Sequence, residues 1–535
     1  MTQHLHQRWK LTQVSLTLEQ EEAQLPEVVA QTLEVEPDVI FNLEIVRRGI
    51  DARRKRRILR VYTIVFDLPL DISVPAHLQD NGTLQAVKQS RDAEYHFECP
   101  TRTQHIVVVG MGPAGLFAAL ELARSRHSVT LLERGSPVAE RVRDVETFWA
   151  GGDLNPQSNV QFGEGGAGTF SDGKLTTRVK HPLAAMVLDT FIDCGAAEDI
   201  RIDAKPHIGT DVLRTVLVNL RAQLRSLGVE IRYHSQLTDL EIEHGSIKGV
   251  VVNASEHIHC DAVVLAVGHS ARDTYAMLYH RGIAMETKPF AMGLRVEHPA
   301  SLINSIQYGM KAHPHLPTAE YALSCNDRNS DRGVYSFCMC PGGEVVLSSS
   351  EEHGVVVNGM SHSRRAGGFS NSALVVAVRP QDFAGQTPLA GMEFQRYWEQ
   401  NACAGQGDYR PPAQNMLSFL QRGYAPVNST CRPGVREEDL RTLLPPFVYA
   451  GLQQALPHFE RKMRGFISAE ASLVGLETRT SAPLRILRTP GMESVNCSGL
   501  YPVGEGAGYA GGIMSAALDG LKVVQEINQK QHGET

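Results

Sequence analysis

Residues 105–133 constrain this chain more than any other stretch. His105-Ile106-Val107-Val108-Val109 is an apolar, β-branched run of the kind that forms a buried parallel strand. Gly110-Met111-Gly112-Pro113-Ala114-Gly115, a G-x-G-x-x-G pattern, follows it and opens an apolar helical stretch to about Ala123. A second strand, Ser128-Val129-Thr130-Leu131-Leu132, ends on Glu133. Gly110 permits the tight turn, Gly112 lets the backbone approach a pyrophosphate, and Gly115 lets the helix pack close to the sheet. Pro113 and Ala114 start a helix whose free N–H groups and partial positive charge suit phosphates. Glu133 can accept hydrogen bonds from both ribose hydroxyls, and its charge would repel a 2′-phosphate. Strand, glycines, helix, second strand and acid agree on a β-α-β dinucleotide-binding unit.

The chain has 535 residues, room for two to four domains. A net charge of −7 argues against a general nucleic-acid or anionic-membrane surface. The start, Met1 to Arg8, lacks the apolar core of a signal peptide, and no apolar run reaches the roughly 18–20 residues of a bilayer span. Nine scattered cysteines form no disulfide framework, so a cytoplasmic setting with reduced thiols is expected.

Residues 1–96 read as a small α/β domain: strand chemistry at Trp9–Leu18, a helix at Pro26–Leu33, and strands at Val39–Val46 and Ile58–Phe66. Between the last two strands lie Arg47, Arg48, Arg53, Arg54, Lys55, Arg56 and Arg57. They are either a solvated turn or a docking patch for an anionic partner or for the neighbouring domain. A polar segment, roughly Gln79 to Thr103, links to the dinucleotide strand. The nucleotide domain is expected to occupy 97–285 and to resume at 466–535, its last strand and helix falling near 498–530. The middle, 286–465, reads as an inserted domain of mixed strands and Gly-rich turns.

Beyond Glu133, Arg134 and Arg141 are cations placed to reach a pyrophosphate. Gly163, Gly165, Gly166 and Gly168 fall within six residues and cannot form a regular element. With Thr169, Ser171, Asp172 and Lys174 they make a loop whose exposed N–H groups can approach a flat or anionic ligand. The strand after Gly228 leads to Leu237, where this fold class contacts an adenine through the backbone. Cys260–Val267 is another buried strand and runs into a turn at Gly268. Near the C-terminus, Gly499–Ala517 gives a strand, an acidic turn at Gly504-Glu505, and the Gly-rich approach Gly511-Gly512-Ile513 to a helix.

This order resembles the two-dinucleotide-binding-domain flavoproteins of the glutathione-reductase/hydroxybenzoate-hydroxylase superfamily. The phrases Gly163–Leu175, Lys205–Asp211 and Glu477–Ser481 look like the bacterial family of uncharacterised FAD-dependent dehydrogenases, over nearly the whole chain. The resemblance implies non-covalent FAD. It implies that Glu505, at a position more often Asp, meets the ribityl chain. It also implies that the helix opening at Gly511-Gly512-Ile513 faces the flavin pyrimidine edge, stabilising charge at N1/O2. The expected architecture is α/β: a Rossmann-like FAD-binding domain, an inserted mixed α+β substrate domain and a small N-terminal α/β domain.

For catalysis the candidates are His207, as proton relay or anion binder, His269, which follows the Gly268 turn, and Arg295, which can neutralise a substrate carboxylate or pair with Glu297. Cys338-Met339-Cys340 is either a redox pair or two buried strand cysteines; in a regular strand an i, i+2 bridge is strained. No cluster with metal-ligand spacing stands out. The expected activity is hydride transfer between a small-molecule substrate and flavin N5. An RNA-modifying flavoprotein and a non-catalytic redox sensor remain alternatives. Only one strong dinucleotide fingerprint is present, so NAD(P)H enters at most as a transient donor. Substrate identity and oligomeric state are not legible in the sequence.

Overall fold

The computed structural model describes residues 6–87, 97, 100–177, 181–327, 331–405 and 407–530; part of the expected linker, 88–96 and 98–99, lies outside them. The dinucleotide strand His105–Val109 stands at the centre of a five-stranded sheet in the order Leu500–Pro502, Ala262–Leu265, His105–Val109, Ser128–Leu132, Glu230–Arg232. Every pairing in that sheet is parallel. A parallel sheet needs cover on both faces, and alternation along the strand assigns each face its own core. Ile106 and Val108 pack with the helices Pro113–Arg124 and Ile513–Lys530. Val107 and Val109 pack with a three-stranded antiparallel sheet built from Leu237–Glu243, Ser246–Val252 and Glu256–His259. Each fully buried aliphatic side chain on these faces contributes about 1.5–3 kcal/mol. The C-terminal helix crosses the first helix closely at Gly520, where an added Cβ would meet the Ala114 carbonyl oxygen at 2.2 Å.

The inserted domain is a seven-stranded sheet in the order Ser324–Asp327, Arg332–Cys340, Phe369–Val378, Phe290–Pro299, Ser472–Glu477, Pro412–Asn415, Arg436–Glu437. The helix Pro446–Lys462 covers one face with Val448, Leu452, Ala455, Leu456 and Phe459. The sequence boundary at 465 therefore falls short. Ser472–Glu477 pairs antiparallel with Phe290–Pro299, and an isolated helix-to-strand reading cannot see a partner so distant in sequence. Where the chain leaves and re-enters the nucleotide domain, Met285–Thr287 pairs with Leu484–Ile486, so the two crossings lie side by side.

The N-terminal domain is a four-stranded antiparallel sheet in the order Phe41–Asp51, Leu59–Pro69, His6–Leu16, Leu84–Ala86, with the helix Leu25–Leu33 on its core. The basic turn is a docking element in one respect. Arg48 pairs with Asp203 and Asp199 at 2.6 Å each, and its backbone N–H donates to the Ile202 carbonyl while its carbonyl accepts from the Ala204 N–H, both at 2.8 Å. Arg53 folds back onto Asp51 instead. Among the described residues, no helix is long and apolar enough to cross a membrane.

Candidate functional site

A cavity of about 410 Å³ runs from the dinucleotide turn to the sheet of the inserted domain. Its floor is the Gly110–Ala114 turn. Gly110 has φ +102, and a Cβ there would meet the Ala266 carbonyl oxygen at 2.4 Å. Gly112 caps the helix Pro113–Arg124, leaving its first N–H groups facing the cavity. The Gly-rich loop lies directly opposite: a Cβ on Gly166 would meet the Gly112 Cα at 3.0 Å, and the Gly165 N–H donates to the Met111 carbonyl at 2.9 Å. At Gly112 and Gly166 the two backbones leave a narrow groove that a side chain on either residue would fill.

Glu133 lines this end and is the tie between its loops. One carboxylate oxygen accepts from the Met111 N–H at 2.9 Å, and the other from the N–H groups of Gly135 and Gly163, both at 2.9 Å. Arg134 lies over the Phe162 ring at 4.4 Å and pairs with Asp273 at 2.9 Å; both Arg134 and Leu237 line the cavity.

Several expected cofactor residues stand behind the wall instead. Arg141 is fully buried and does not line the cavity. Its guanidinium donates to the carbonyls of Asn159, Val160, Gly163 and Glu164 and to the Thr169 hydroxyl, which fixes the Gly-rich loop from behind. Thr169 is consumed by that bond, Gly165 backs onto Leu217, and Gly115 is a packing glycine whose Cβ would sit 1.9 Å from the Gly110 carbonyl oxygen. Gly166, Gly168, Ser171, Asp172 and Lys174 do line the cavity. Asp172, however, is committed to Arg365, Ser361 and Lys174, stitching the loop to the inserted domain. Lys174 also donates to the Met339 carbonyl.

The C-terminal turn closes the other side. The Gly504 N–H donates to Asp519 at 2.8 Å, and Arg488 holds Asp519 through two bonds of 2.8 and 2.9 Å. Gly268, Gly511 and Gly512 line the cavity, and a Cβ on any of them would meet nothing within 4 Å. Ile513 begins the second helix whose N-terminus faces the cavity. Two helix N-termini and a narrow groove between glycines fit a dinucleotide.

Of the catalytic candidates, His269 alone lines the cavity. Its Nε2 is 3.9 Å from Glu505 Oε1 and its Nδ1 is 2.9 Å from the Ser270 hydroxyl. Burial, then the charges of Arg479 and Arg272, pushes its imidazole down to about 3, so it is neutral. Burial pushes the Glu505 carboxyl up to about 7, with Lys288 opposing and Cys338 reinforcing. His207 is off the cavity: its Nε2 bonds the Ser363 carbonyl at 2.9 Å, and its backbone pairs with Lys174. Arg295 is fully buried behind the wall. It is not paired with Glu297, which takes the hydroxyls of Ser429 and Thr430; Arg295 binds Glu477 at 2.6 and 2.8 Å, Asn371 at 2.7 Å and Asn358 at 3.0 Å.

The far wall holds Cys338, one of the two cysteines the sequence offers as a redox pair, and four cavity residues it did not single out for catalysis: Asn358, Glu477, Arg479 and Thr480. The Glu477–Ser481 phrase points at this strand end without assigning it a place. Arg479 and Arg272 converge on the buried Glu399 carboxylate, at 2.7 and 2.8 Å.

The two ends of this cavity, the dinucleotide turn and the inserted sheet, fall in segments that known sequence families share. Residues 105–166 match the FAD binding domain family, residues 289–480 match the family described as FAD-dependent protein, C-terminal domain-like, and residues 9–67 match a domain of unknown function. The protein is of the FAD-dependent class, and FAD is its cofactor. It belongs to the same family as an uncharacterized protein of Clostridium beijerinckii, 43% identical over 531 residues, covering 97% of this chain and 98% of that protein. Flavin-containing monooxygenase FMO GS-OX-like 2 of Arabidopsis thaliana is 56% identical over 202 residues, covering 34% of this chain and 38% of that protein. Among solved structures, glycine oxidase from Bacillus cereus has a TM-score of 0.35 at 12% identity, covering 80% of this chain and 97% of that one. CtdE in complex with FAD has a TM-score of 0.31 at 12% identity, covering 81% of this chain and 89% of that one. Both scores are too low to bear on function.

Proposed function

We propose that the protein is a dehydrogenase that moves a hydride between flavin N5 and a small organic substrate held at the Lys174–Cys338–Arg479 end of the cavity. The observation that carries this reading is the continuity of one cavity from the dinucleotide turn to the inserted sheet. Bound non-covalently, FAD supplies two-electron chemistry at N5. In this reading Gly110, Gly112, Pro113 and Ala114 with Gly166 and Gly168 take the pyrophosphate. Glu133 takes one ribose hydroxyl through the remaining acceptor position of the oxygen that holds Met111, and Leu237 and Arg134 border the adenine. Gly504, Glu505, Gly511, Gly512 and Ile513 meet the flavin side.

The chain's own proton carrier is Glu505. Below about pH 7 its carboxyl holds its proton, whereas His269, pushed down to about 3 with its Nε2 3.9 Å away, stays neutral beside it. On the substrate wall and directly behind it every one of these cations faces an acid: Lys174 with Asp172, Arg295 with Glu477, Arg479 with Glu399. That balance favours a neutral polar substrate over a strongly charged one, since an added charge would meet no uncompensated partner. The eight described cysteines are all free, which supports a reducing, cytoplasmic setting.

Anaerobic mixing with NADH or NADPH tests the direction of flow. Bleaching of the flavin band by one nucleotide identifies it as a transient donor. No bleaching by either nucleotide, with bleaching by a neutral alcohol, amine or thiol donor, supports a substrate-reduced dehydrogenase. A flavin that no donor reduces overturns the catalytic reading and leaves a redox-silent scaffold.

The Glu505 carboxyl also gives a pH signature. Its folded value, about 7, lies above the ordinary 4.5. The unfolded chain therefore releases this proton first, and folded stability falls as pH rises from the unfolded value through about 7. Urea unfolding of the flavin-free protein between pH 5 and 8 is expected to show that decline, and Glu505→Gln is expected to remove it. Identical pH slopes for the two proteins would refute the assignment.

A further inference from the structure

We propose that Cys338 and Cys340 form a redox-active dithiol that opens on the cavity and exchanges with small neutral disulfides. In a regular strand these two residues would be an awkward pair. The strand is not regular here: its pairing with Phe369–Val378 slips between Phe337↔Ala373 and Cys340↔Asn371, and Cys338 sits in the slip at φ +43. A left-handed residue other than glycine, Asn or Asp is rare, and such strain collects at functional sites. The bulge turns Cys338 onto the cavity wall, half-buried, while Cys340 stays fully buried beneath it. The Cys340 thiol lies 3.5 Å from the Cys338 carbonyl oxygen.

The surroundings divide the two thiols into distinct roles. Lys174 approaches from the Gly-rich loop, Arg295 and Glu477 from neighbouring strands, and Glu505 from the C-terminal turn. Arg295 Nη1 donates to the Cys338 carbonyl at 3.2 Å and stands 3.9 Å from Cys340 Sγ. The hydrogen bond from Cys340, with Lys174 and Arg295, outweighs burial and Glu477 and brings the Cys338 thiol below the ordinary thiol range. The same hydrogen bond, with burial and the charge of Asp172, pushes Cys340 well up. One thiol is a ready nucleophile at neutral pH and the other keeps its proton, the division of labour a resolving pair needs.

The exchange balances as follows. The Cys338 thiolate attacks one sulfur of the disulfide, its S–S bond breaks, and the first thiolate leaves. Cys340 passes its proton to that leaving thiolate and attacks the Cys338 sulfur. The mixed bond breaks, the second thiolate leaves, and a Cys338–Cys340 disulfide remains. The protein pair is oxidised by two electrons and the small disulfide is reduced by two. The exchange itself needs no flavin, so it goes beyond the dehydrogenase reading and stands or falls separately from it.

The test is run on the native protein, flavin-free and flavin-loaded, with hydroxyethyl disulfide as the probe. After acid quench and alkylation, peptide mass mapping is expected to find the Cys338–Cys340 peptide two hydrogens lighter and unalkylated. Cys340→Ser is expected to stop at a hydroxyethyl-thiol adduct on Cys338. Independently of any variant, iodoacetamide labelling of Cys338 in the wild-type protein is expected to rise with a midpoint below the ordinary thiol value. Cys338 and Cys340 remaining fully alkylatable, or modification confined to the half-buried Cys325 and Cys403, would overturn the proposal. So would a labelling midpoint near the ordinary thiol value of about 8.5.

Discussion

Gly112→Val is expected to give a folded protein without FAD. Gly112 has an ordinary helix-cap conformation, φ −74, so valine meets no backbone strain there. The first added carbon fits, 4.0 Å from the Gly166 Cα. The two further methyls have only the groove between the loops to occupy. Overpacking costs about 1–3 kcal/mol, and each charge-assisted hydrogen bond from a backbone N–H to a phosphate oxygen that the methyls prevent costs about 1.5–3 kcal/mol more. Together these weaken FAD binding roughly 100-fold or more. Far-ultraviolet circular dichroism matching the wild type, with no flavin absorbance at micromolar FAD, is the expected pair of readings. Gly115→Ala makes the contrast. Its Cβ would lie 1.9 Å from the Gly110 carbonyl oxygen, so that variant loses the fold along with the flavin.

Glu399→Ala is expected to be severely destabilising. The carboxylate is 1% exposed and accepts bonds from Arg272, Arg479 and Thr478. Burial acts to raise its pKa, but the two guanidiniums overrule it and hold the acid well below the usual carboxylate range. Its removal leaves two buried guanidiniums short of their shared counter-charge; Arg272 keeps only Glu351. Breaking a buried pair of this kind costs about 3–5 kcal/mol, a large part of a typical stability of about 5–15 kcal/mol. The urea midpoint should fall steeply, and Glu399→Gln, which keeps the shape without the charge, should fall nearly as far. A midpoint shift worth less than about 1 kcal/mol would place the network among dispensable ion pairs. Because Arg479 forms part of the cavity wall, any surviving protein should also show altered substrate-end chemistry.

What could be read from the sequence was local. The 105–133 unit is recognisable because strand, turn, helix and acid lie within one short stretch, and the structure builds it in that register. The Gly-rich loop and the Gly504–Ile513 approach are legible for the same reason: short runs of glycine mark either close backbone contact, as at Gly166, or open space kept clear, as at Gly511 and Gly512. Residues whose role is set by a distant partner were not. Arg295 reads as a strand cation facing a ligand until Glu477, 182 residues away, is brought across the sheet to it. Arg141 reads as a phosphate cation until the loop it holds folds around it. His207 sits in a suggestive phrase, yet its ring is spent on Ser363, 156 residues on. The Cys338 bulge is invisible in a strand-like run, because a one-residue slip depends on the neighbouring strand.

The most direct measurement is the absorbance spectrum of the purified protein together with the flavin it releases on acid denaturation. The expected result is a yellow protein that releases FAD intact, one per chain, and that rebinds FAD after removal. A colourless protein that cannot be reconstituted with FAD would contradict the assignment of FAD to this cavity.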